Sequence, residues 1–358
     1  MSAPDTVFVP THLSAILMVG VLQYLMPRLT RADLWFAVTV DPAFRRTDEA
    51  RRSERTYQRS VIAQLLIALA VALLGVGVHQ RWLLPVGLFW ELIGATAAFV
   101  AARQRTLPHA VAPTTVREAA LGQRRDPMPG GWALQLGPFG LLTLTAVWLH
   151  LHWSQIPERV PTHFSGSGLP DAWAPRSWAS VYAVPVTGLA ACLLLWLIAL
   201  LVRNSRRIQA TGVAAVSERT FRRVTLAVVL GSEYVVAWTC GLIALAIVGD
   251  ARVLLSMTPL LTAMLFLVIC LVYLRTGQGG SRLAPSLVAA APVGDRTRDR
   301  DWKWGLFYVN RRDPALLVEK RFGIGYTLNF GHAGSWILLG LIVLVPQVVR
   351  WIMVALQR

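Results

Sequence analysis

The chain of 358 residues is 55% hydrophobic and only 15% charged, with a mean hydropathy of +0.51. Soluble domains carry about 25% charged residues, so this composition excludes a water-soluble globule, a disordered chain and a small disulfide scaffold, and it marks a polytopic membrane protein. The net charge of +16 (35 basic against 19 acidic residues) belongs, in so apolar a chain, to loops held against an anionic leaflet rather than to a direct nucleic-acid surface.

Eight apolar runs approach the ~20 residues a bilayer requires. In chain order they cover Val7–Met26, Val61–Val78, Trp82–Ala102, Trp132–Leu151, Trp178–Val202, Val224–Val248, Val253–Leu274 and Trp336–Leu356. The first follows Asp5 without a basic segment and ends at Pro27 without a small-residue cleavage site, so it reads as a span rather than a signal peptide. The eighth contains Pro346 and Arg350, and Arg350 lies close enough to its end to snorkel. The predicted fold is therefore all-α and polytopic, with about eight transmembrane helices, an ordered external loop and a small hairpin-like cytoplasmic module. It divides into residues 1–131 with three helices, 132–202 with the fourth and fifth helices around the loop 156–178, 203–274 with the sixth and seventh, the module 275–334, and the last helix 335–358.

Basic residues orient these spans. Eight lie between Arg28 and Arg59, five between Arg103 and Arg125, six between Arg203 and Arg223, and ten between Arg275 and Arg321. The alternate loops hold only Arg81, Arg159, Arg176 and Arg252. Eight spans with both termini outside place every basic loop in the cytoplasm. Only Lys303 and Lys320 are lysines, an arginine bias typical of a high-GC bacterial genome; the expected location is the bacterial inner membrane. The cysteines Cys192, Cys240 and Cys270 sit in apolar runs without metal or redox spacing and read as core residues.

Two loops carry more than a connection needs. The external one reads Ile156-Pro-Glu-Arg-Val-Pro-Thr-His-Phe-Ser-Gly-Ser-Gly-Leu-Pro-Asp-Ala-Trp173, and its glycines and prolines predict an irregular backbone that presents His163 and Asp171. Trp153, Phe164, Trp173 and Trp178 are its expected anchors on the membrane domain. In the long cytoplasmic loop, aromatic alternating runs flank Asn310-Arg-Arg-Asp-Pro314, which is turn chemistry and predicts a small hairpin or strand-and-turn module.

Pro161, His163, Phe164, Gly168, Pro170 and Asp171 follow a spacing that resembles the signature of a membrane domain of unknown function in SdpI-like bacterial immunity proteins, with Ser165 where that signature usually has Asn. The stretch Trp302 to Gly331, with Gly-Leu-Phe-Tyr-Val-Asn310, Asp313-Pro314 and Arg321-Phe-Gly-Ile-Gly-Tyr-Thr-Leu-Asn329-Phe, resembles a second uncharacterised module often found with the first. The resemblance implies a membrane protein that gives immunity to a peptide toxin outside and engages a soluble regulator inside, and it directs attention to Tyr308, Asn310, Asp313, Arg321 and Asn329.

Read from the residues, His163, Ser165, Gly168 and Asp171 are candidate ligand contacts. His150, His152, His163 and Asp171 are weak candidates for a zinc site, because no tight ligand motif supports them. No other cofactor is implied. Glu91 and Glu233 are the only acids well inside apolar runs. An ionised carboxylate there costs at least ~2–3 kcal/mol, so each must face the bundle interior or a wet cavity, or carry a proton. Three readings stay open: a receptor or immunity-like protein, which leads; a metal-dependent membrane enzyme using His163 and acidic residues; and a transporter or channel using Glu91 and Glu233. The ranking leans against catalysis.

Overall fold

The structure is a computed structural model that describes residues 5–113, 127–164, 170–205, 212–249, 251–283, 297–323 and 325–355. These residues form eight α-helices: α1 (Asp5–Leu29), α2 (Asp48–Gly77), α3 (Leu83–Thr106), α4 (Gly131–Leu151), α5 (Trp178–Asn204), α6 (Gly212–Leu245), α7 (Ala251–Thr276) and α8 (Ala333–Ala355). The first seven are long and apolar enough to cross a membrane, and α8 contributes a shorter apolar stretch, Ala333–Val349. The protein is thus an all-α polytopic membrane protein with eight helices among its described residues.

The helices outrun the apolar stretches that announce them. Helix α2 starts thirteen residues before Val61, where the Thr47 hydroxyl accepts a hydrogen bond from the Ala50 amide at 3.2 Å and Asp48 and Glu49 oppose the helix dipole. Helix α6 starts at Gly212 rather than Val224, carrying polar turns beyond the bilayer-length core. Helix α5 begins with a reciprocal cap in which the side chains of Ser177 and Ser180 each accept from the other's backbone amide.

Two three-helix groups form the membrane part. In the first, small residues let α2 and α3 approach closely: Ala68, Ala72 and Gly75 face Leu84, Gly87 and Ala95, and Ile16 of α1 closes the seam. In the second, Leu142 of α4, Cys192 of α5 and Ala237 of α6 share one core. Helix α7 packs on α6 and α1, and α8 packs on α5. Large apolar side chains such as Leu66, Ile93, Leu144 and Leu260 point outward, as lipid contact requires.

Four two-stranded antiparallel ribbons occupy the helix ends: β1 (Leu34–Trp35) with β2 (Val38–Thr39), β3 (Arg159–Phe164) with β4 (Pro170–Pro175), β5 (Trp302–Lys303) with β6 (Phe307–Tyr308), and β7 (Leu317–Glu319) with β8 (Tyr326–Leu328). Chain alternation puts three of them on the face that collects the basic loops, here the basic face, and leaves β3–β4 on the opposite one. The small hairpin or strand-and-turn module expected around Asn310–Pro314 is a pair of hairpins joined by those residues, and β6 meets β8 through a parallel bridge between Tyr308 and Asn329. The irregular backbone expected around His163 is present as register shifts in β3 between Pro161 and Phe164, and the glycines Gly166 and Gly168 lie outside the described residues.

Candidate functional site

The ribbon β3–β4 grows out of a buried cluster of Leu149, Ile156, Val160, Val181, Ala244 and Ile247, which ties it to α4, α5 and α6. Arg176 fixes its base by donating to the Ile156 carbonyl at 2.6 Å and the Trp153 carbonyl at 3.3 Å. Trp153 stacks on Trp178 with centroids 4.9 Å apart, and Trp178 on Tyr182 at 5.4 Å. The Ser180 hydroxyl donates to the Pro175 carbonyl at 2.8 Å, so the first turn of α5 is joined directly to β4.

On this base the ribbon brings His163 and Asp171 together. His163 Nδ1 lies 2.5 Å from Asp171 Oδ1, with the side chains 65% and 47% exposed. The carboxylate orients the ring and leaves Nε2 directed elsewhere. Ser165 and Gly168 lie outside the described residues. The expected grouping with His150 and His152 does not form. His150 lies 5.4 Å from the Trp178 ring, while His152 stacks on Trp148 at 4.1 Å with Nδ1 2.9 Å from the Trp148 carbonyl. Among the described residues no three His, Cys, Asp or Glu side chains converge on a point that a metal ion would occupy. Two residues apart on a helix end, His150 and His152 are turned to different sides, and each is taken by an aromatic neighbour.

Glu91 and Glu233 are both fully buried, as the cost of lipid exposure requires. They fall in different helix groups, on the packed faces of α3 and α6. Neither carboxylate has a hydrogen-bond partner for either oxygen among the described residues.

On the basic face, the module of β5 to β8 is organised by two buried residues. Asn329 is wholly buried; its carboxamide oxygen accepts from the amides of Asn310 (3.0 Å) and Gly331 (3.1 Å), and its nitrogen donates to the carbonyls of Asn310 (2.8 Å), Asp313 (3.1 Å) and Ala315 (3.1 Å). A Cβ on Gly331 would lie 2.7 Å from the Asn310 carbonyl carbon, so only glycine admits this approach. The Tyr308 hydroxyl donates to Asp313 at 2.9 Å and accepts from the Asn310 side chain at 3.2 Å, and burial beside Asp313 and Asp301 pushes its phenol above the ordinary range. Tyr308, Asn310, Asp313 and Asn329 thus form one network.

Arg321 lies on the other side of the module and docks it. Its buried guanidinium pairs with Asp299, donates to the carbonyls of Thr297 (2.6 Å) and Ala37 (3.3 Å), and sits 5.4 Å from the Trp302 ring. Asp299 also accepts from the backbone amide and hydroxyl of Thr39, the latter at 3.0 Å. Arg103, at the end of α3, donates to the carbonyls of Ala37 (2.5 Å) and Asp299 (3.1 Å). Phe322 stacks on Phe99 of α3 with centroids 3.7 Å apart.

The docking partners Thr39, Arg103 and Asp299 were not anticipated, yet the sequence carries a signal for them. Asp33-Leu-Trp-Phe-Ala and Asp301-Trp-Lys-Trp-Gly both place an aromatic-small pair three and four residues after an aspartate. Both fold as tight hairpins with positive φ at that pair: Phe36 (45°) and Ala37 (61°) in one, Trp304 (54°) and Gly305 (78°) in the other. Val40 and Val309 close them by donating to the carbonyls of Asp33 and Asp301 at 3.0 and 2.8 Å. The tips meet, since a Cβ on Gly305 would stand 3.0 Å from that of Ala37 and 2.8 Å from Arg103 Cδ.

Other basic residues expected only to orient the chain also hold helix ends. Arg222, fully buried, donates to the Ser205 carbonyl at 2.7 Å and to Glu218 at 3.2 Å. Arg45 donates to the carbonyls of Pro27 (3.0 Å) and Leu34 (3.2 Å) and to the Thr30 hydroxyl (2.5 Å). Burial lowers the Arg45 guanidinium to about 10, with Asp33 and Glu54 opposing the shift. Each puts a cation against C-terminal carbonyls, where the helix dipole favours it.

Two family profiles match parts of this chain. A domain of unknown function (DUF1648) matches residues 140–189, which cover the second half of α4, the β3–β4 region and the first turns of α5. A family of unknown function (DUF5808) matches residues 311–336, from the Asn310–Pro314 connection to the start of α8. No curated protein and no solved structure matches the chain. The chain is a multi-pass membrane protein that carries segments similar to these two families.

Proposed function

We propose that this protein is a bacterial inner-membrane receptor of the SdpI-like immunity type, with the β3–β4 ribbon and both termini outside and the β5–β8 module inside. On this reading His163 and Asp171, with Ser165 and Gly168, contact an external ligand such as a peptide or toxin, and the module passes the event to a soluble regulator. The observation that carries the proposal is the position of α5. Its first turn is joined to β4 through Ser180, and its last turns pack with Leu226 against Leu317 and Tyr326 of the module. A displacement of the ribbon therefore has a continuous helix, with α6 beside it, along which to reach the other face.

The test has two arms. Single cysteines at the exposed positions 171 and 303 should be labelled from opposite sides of the membrane, 171 from outside. Cells expressing the protein should resist a toxic peptide fraction, and His163→Ala should remove the resistance without lowering the amount of protein in the membrane. Labelling of 303 from outside, or full resistance in the His163→Ala cells, would overturn the proposal.

A second reading, a cation or proton path, draws on Glu91 and Glu233, because buried carboxylates without partners cost stability that packing residues would not. Flux across proteoliposomes that the Glu91→Gln, Glu233→Gln double variant abolishes would favour it. Equal flux in the double variant would leave the two acids as packing residues.

A further inference from the structure

A cleft of about 1280 Å³ opens on the basic face between the last turn of α5 and residues 297–317. It exceeds the ~300–1,000 Å³ of ordinary small-molecule sites. Its charge is one-sided. The two acids on its wall are engaged: Asp301 accepts from the Asn310 side chain at 3.2 Å, and Asp313 accepts from the Tyr308 hydroxyl and the Ala315 amide. Arg298, Arg311 and Arg312 line the same wall, are exposed, and make no side-chain hydrogen bond or ion pair with the described residues. The lining also has an apolar part, Leu201 of α5 with Pro314, Leu316 and Leu317.

Three exposed arginines lining one cleft without carboxylate partners among the described residues suit a phosphoryl group, which the planar guanidinium fork binds through paired hydrogen bonds. The apolar wall suits a ligand with a hydrocarbon or ring portion. We propose that this cleft binds a phosphoryl-bearing ligand, with Arg298, Arg311 and Arg312 holding the anion and the Leu201–Leu317 wall holding its apolar part. The ligand comes either from the bilayer, as the headgroup of an anionic phospholipid that α5 brings within reach, or from water, as a soluble phosphate compound. This inference is independent of the external ligand proposed above.

The experiment uses the full chain. Native mass spectrometry of protein extracted from phosphatidylcholine–phosphatidylglycerol vesicles reads retained phosphatidylglycerol, and calorimetry in phosphatidylcholine nanodiscs reads pyrophosphate binding. Two variants are compared: Arg298→Gln, Arg311→Gln, Arg312→Gln in the cleft, and Arg51→Gln, Arg52→Gln, Arg55→Gln on the exposed side of α2. The cleft variant should weaken binding by about tenfold or more, and the α2 variant should match wild type. Retained phosphatidylglycerol with no pyrophosphate binding assigns the lipid source; pyrophosphate binding without lipid retention assigns the soluble source; both together assign a site open to each. No binding of either by wild type, or equal losses in the two variants, would overturn the proposal.

Discussion

The ribbon β3–β4 and the module β5–β8 both carry Gly, Pro and Asp, and both overlap family-profile matches, yet they use their polar residues in opposite ways. In the module Asn329 is wholly buried and makes five hydrogen bonds, and Arg321 is spent on Asp299 and two backbone carbonyls. In the ribbon His163 and Asp171 satisfy one another and remain largely in water. The same residue types therefore build a fold in one place and are held ready on a fold in the other. Burial and hydrogen-bond saturation separate the two cases, and sequence spacing does not.

The comparison breaks most sharply at Asn329. Asn329→Ala should cost about 3–5 kcal/mol, because it strands buried backbone groups of Asn310, Asp313, Ala315 and Gly331 together. Hydrogen exchange across residues 302–331 should rise to that of an open loop while α1 to α7 stay protected. Protection equal to wild type would mean that the module holds without its centre.

Arg321→Lys comes next, at about 2–4 kcal/mol, since one ammonium cannot reach Asp299, Thr297 and Ala37 at once and Asp299 loses its planar partner. The expected sign is selective loosening of the module from α3, read as faster exchange at Thr39 and greater exposure of Phe322. Arg103→Lys should act in the same direction. A wild-type exchange pattern in Arg321→Lys would show that the hairpin tips and the Phe99–Phe322 stack hold the module by themselves.

Tyr308 gives the comparison a pH dependence. Burial and the neighbouring carboxylates raise its folded-state value above that of an unfolded tyrosine, so the folded module holds the phenol proton more tightly. Its contribution is fully present below about pH 10 and is lost as pH rises above that value. Thermal melts of the module should weaken on alkaline titration, and Tyr308→Phe should flatten that slope. Equal slopes would place the alkaline sensitivity elsewhere.

The smallest stability effect belongs to the exposed pair. His163→Ala or Asp171→Asn should change stability by less than about 1 kcal/mol, as for other exposed ion pairs, while removing ligand binding. A large loss of stability in either variant would make the pair a fold element like Asn329 and end the contrast.

Composition and apolar run length determined the class of the protein, because a bilayer accepts only helices or closed barrels and these runs are long, apolar and nearly free of charged residues. The same arithmetic required Glu91 and Glu233 to turn inward, which they do. Helix ends were less legible: the polar turns of α2 and α6 lie outside the apolar stretches, and capping at Thr47 extends a helix where hydropathy sees a loop. The tertiary structure alone decided which polar residues meet. Arg103, Asp299 and Arg321 are 196 and 22 residues apart along the chain, and nothing local links them. They come together because two tight hairpins, each turned by an aromatic-small pair at positive φ, touch tip to tip beneath α3. His150 and His152 looked equally available for a site with His163, but the turn ending α4 hands each to a tryptophan. Proximity across such distances depends on how helix ends and ribbons pack, and packing is a property of three-dimensional contacts that residue spacing does not encode.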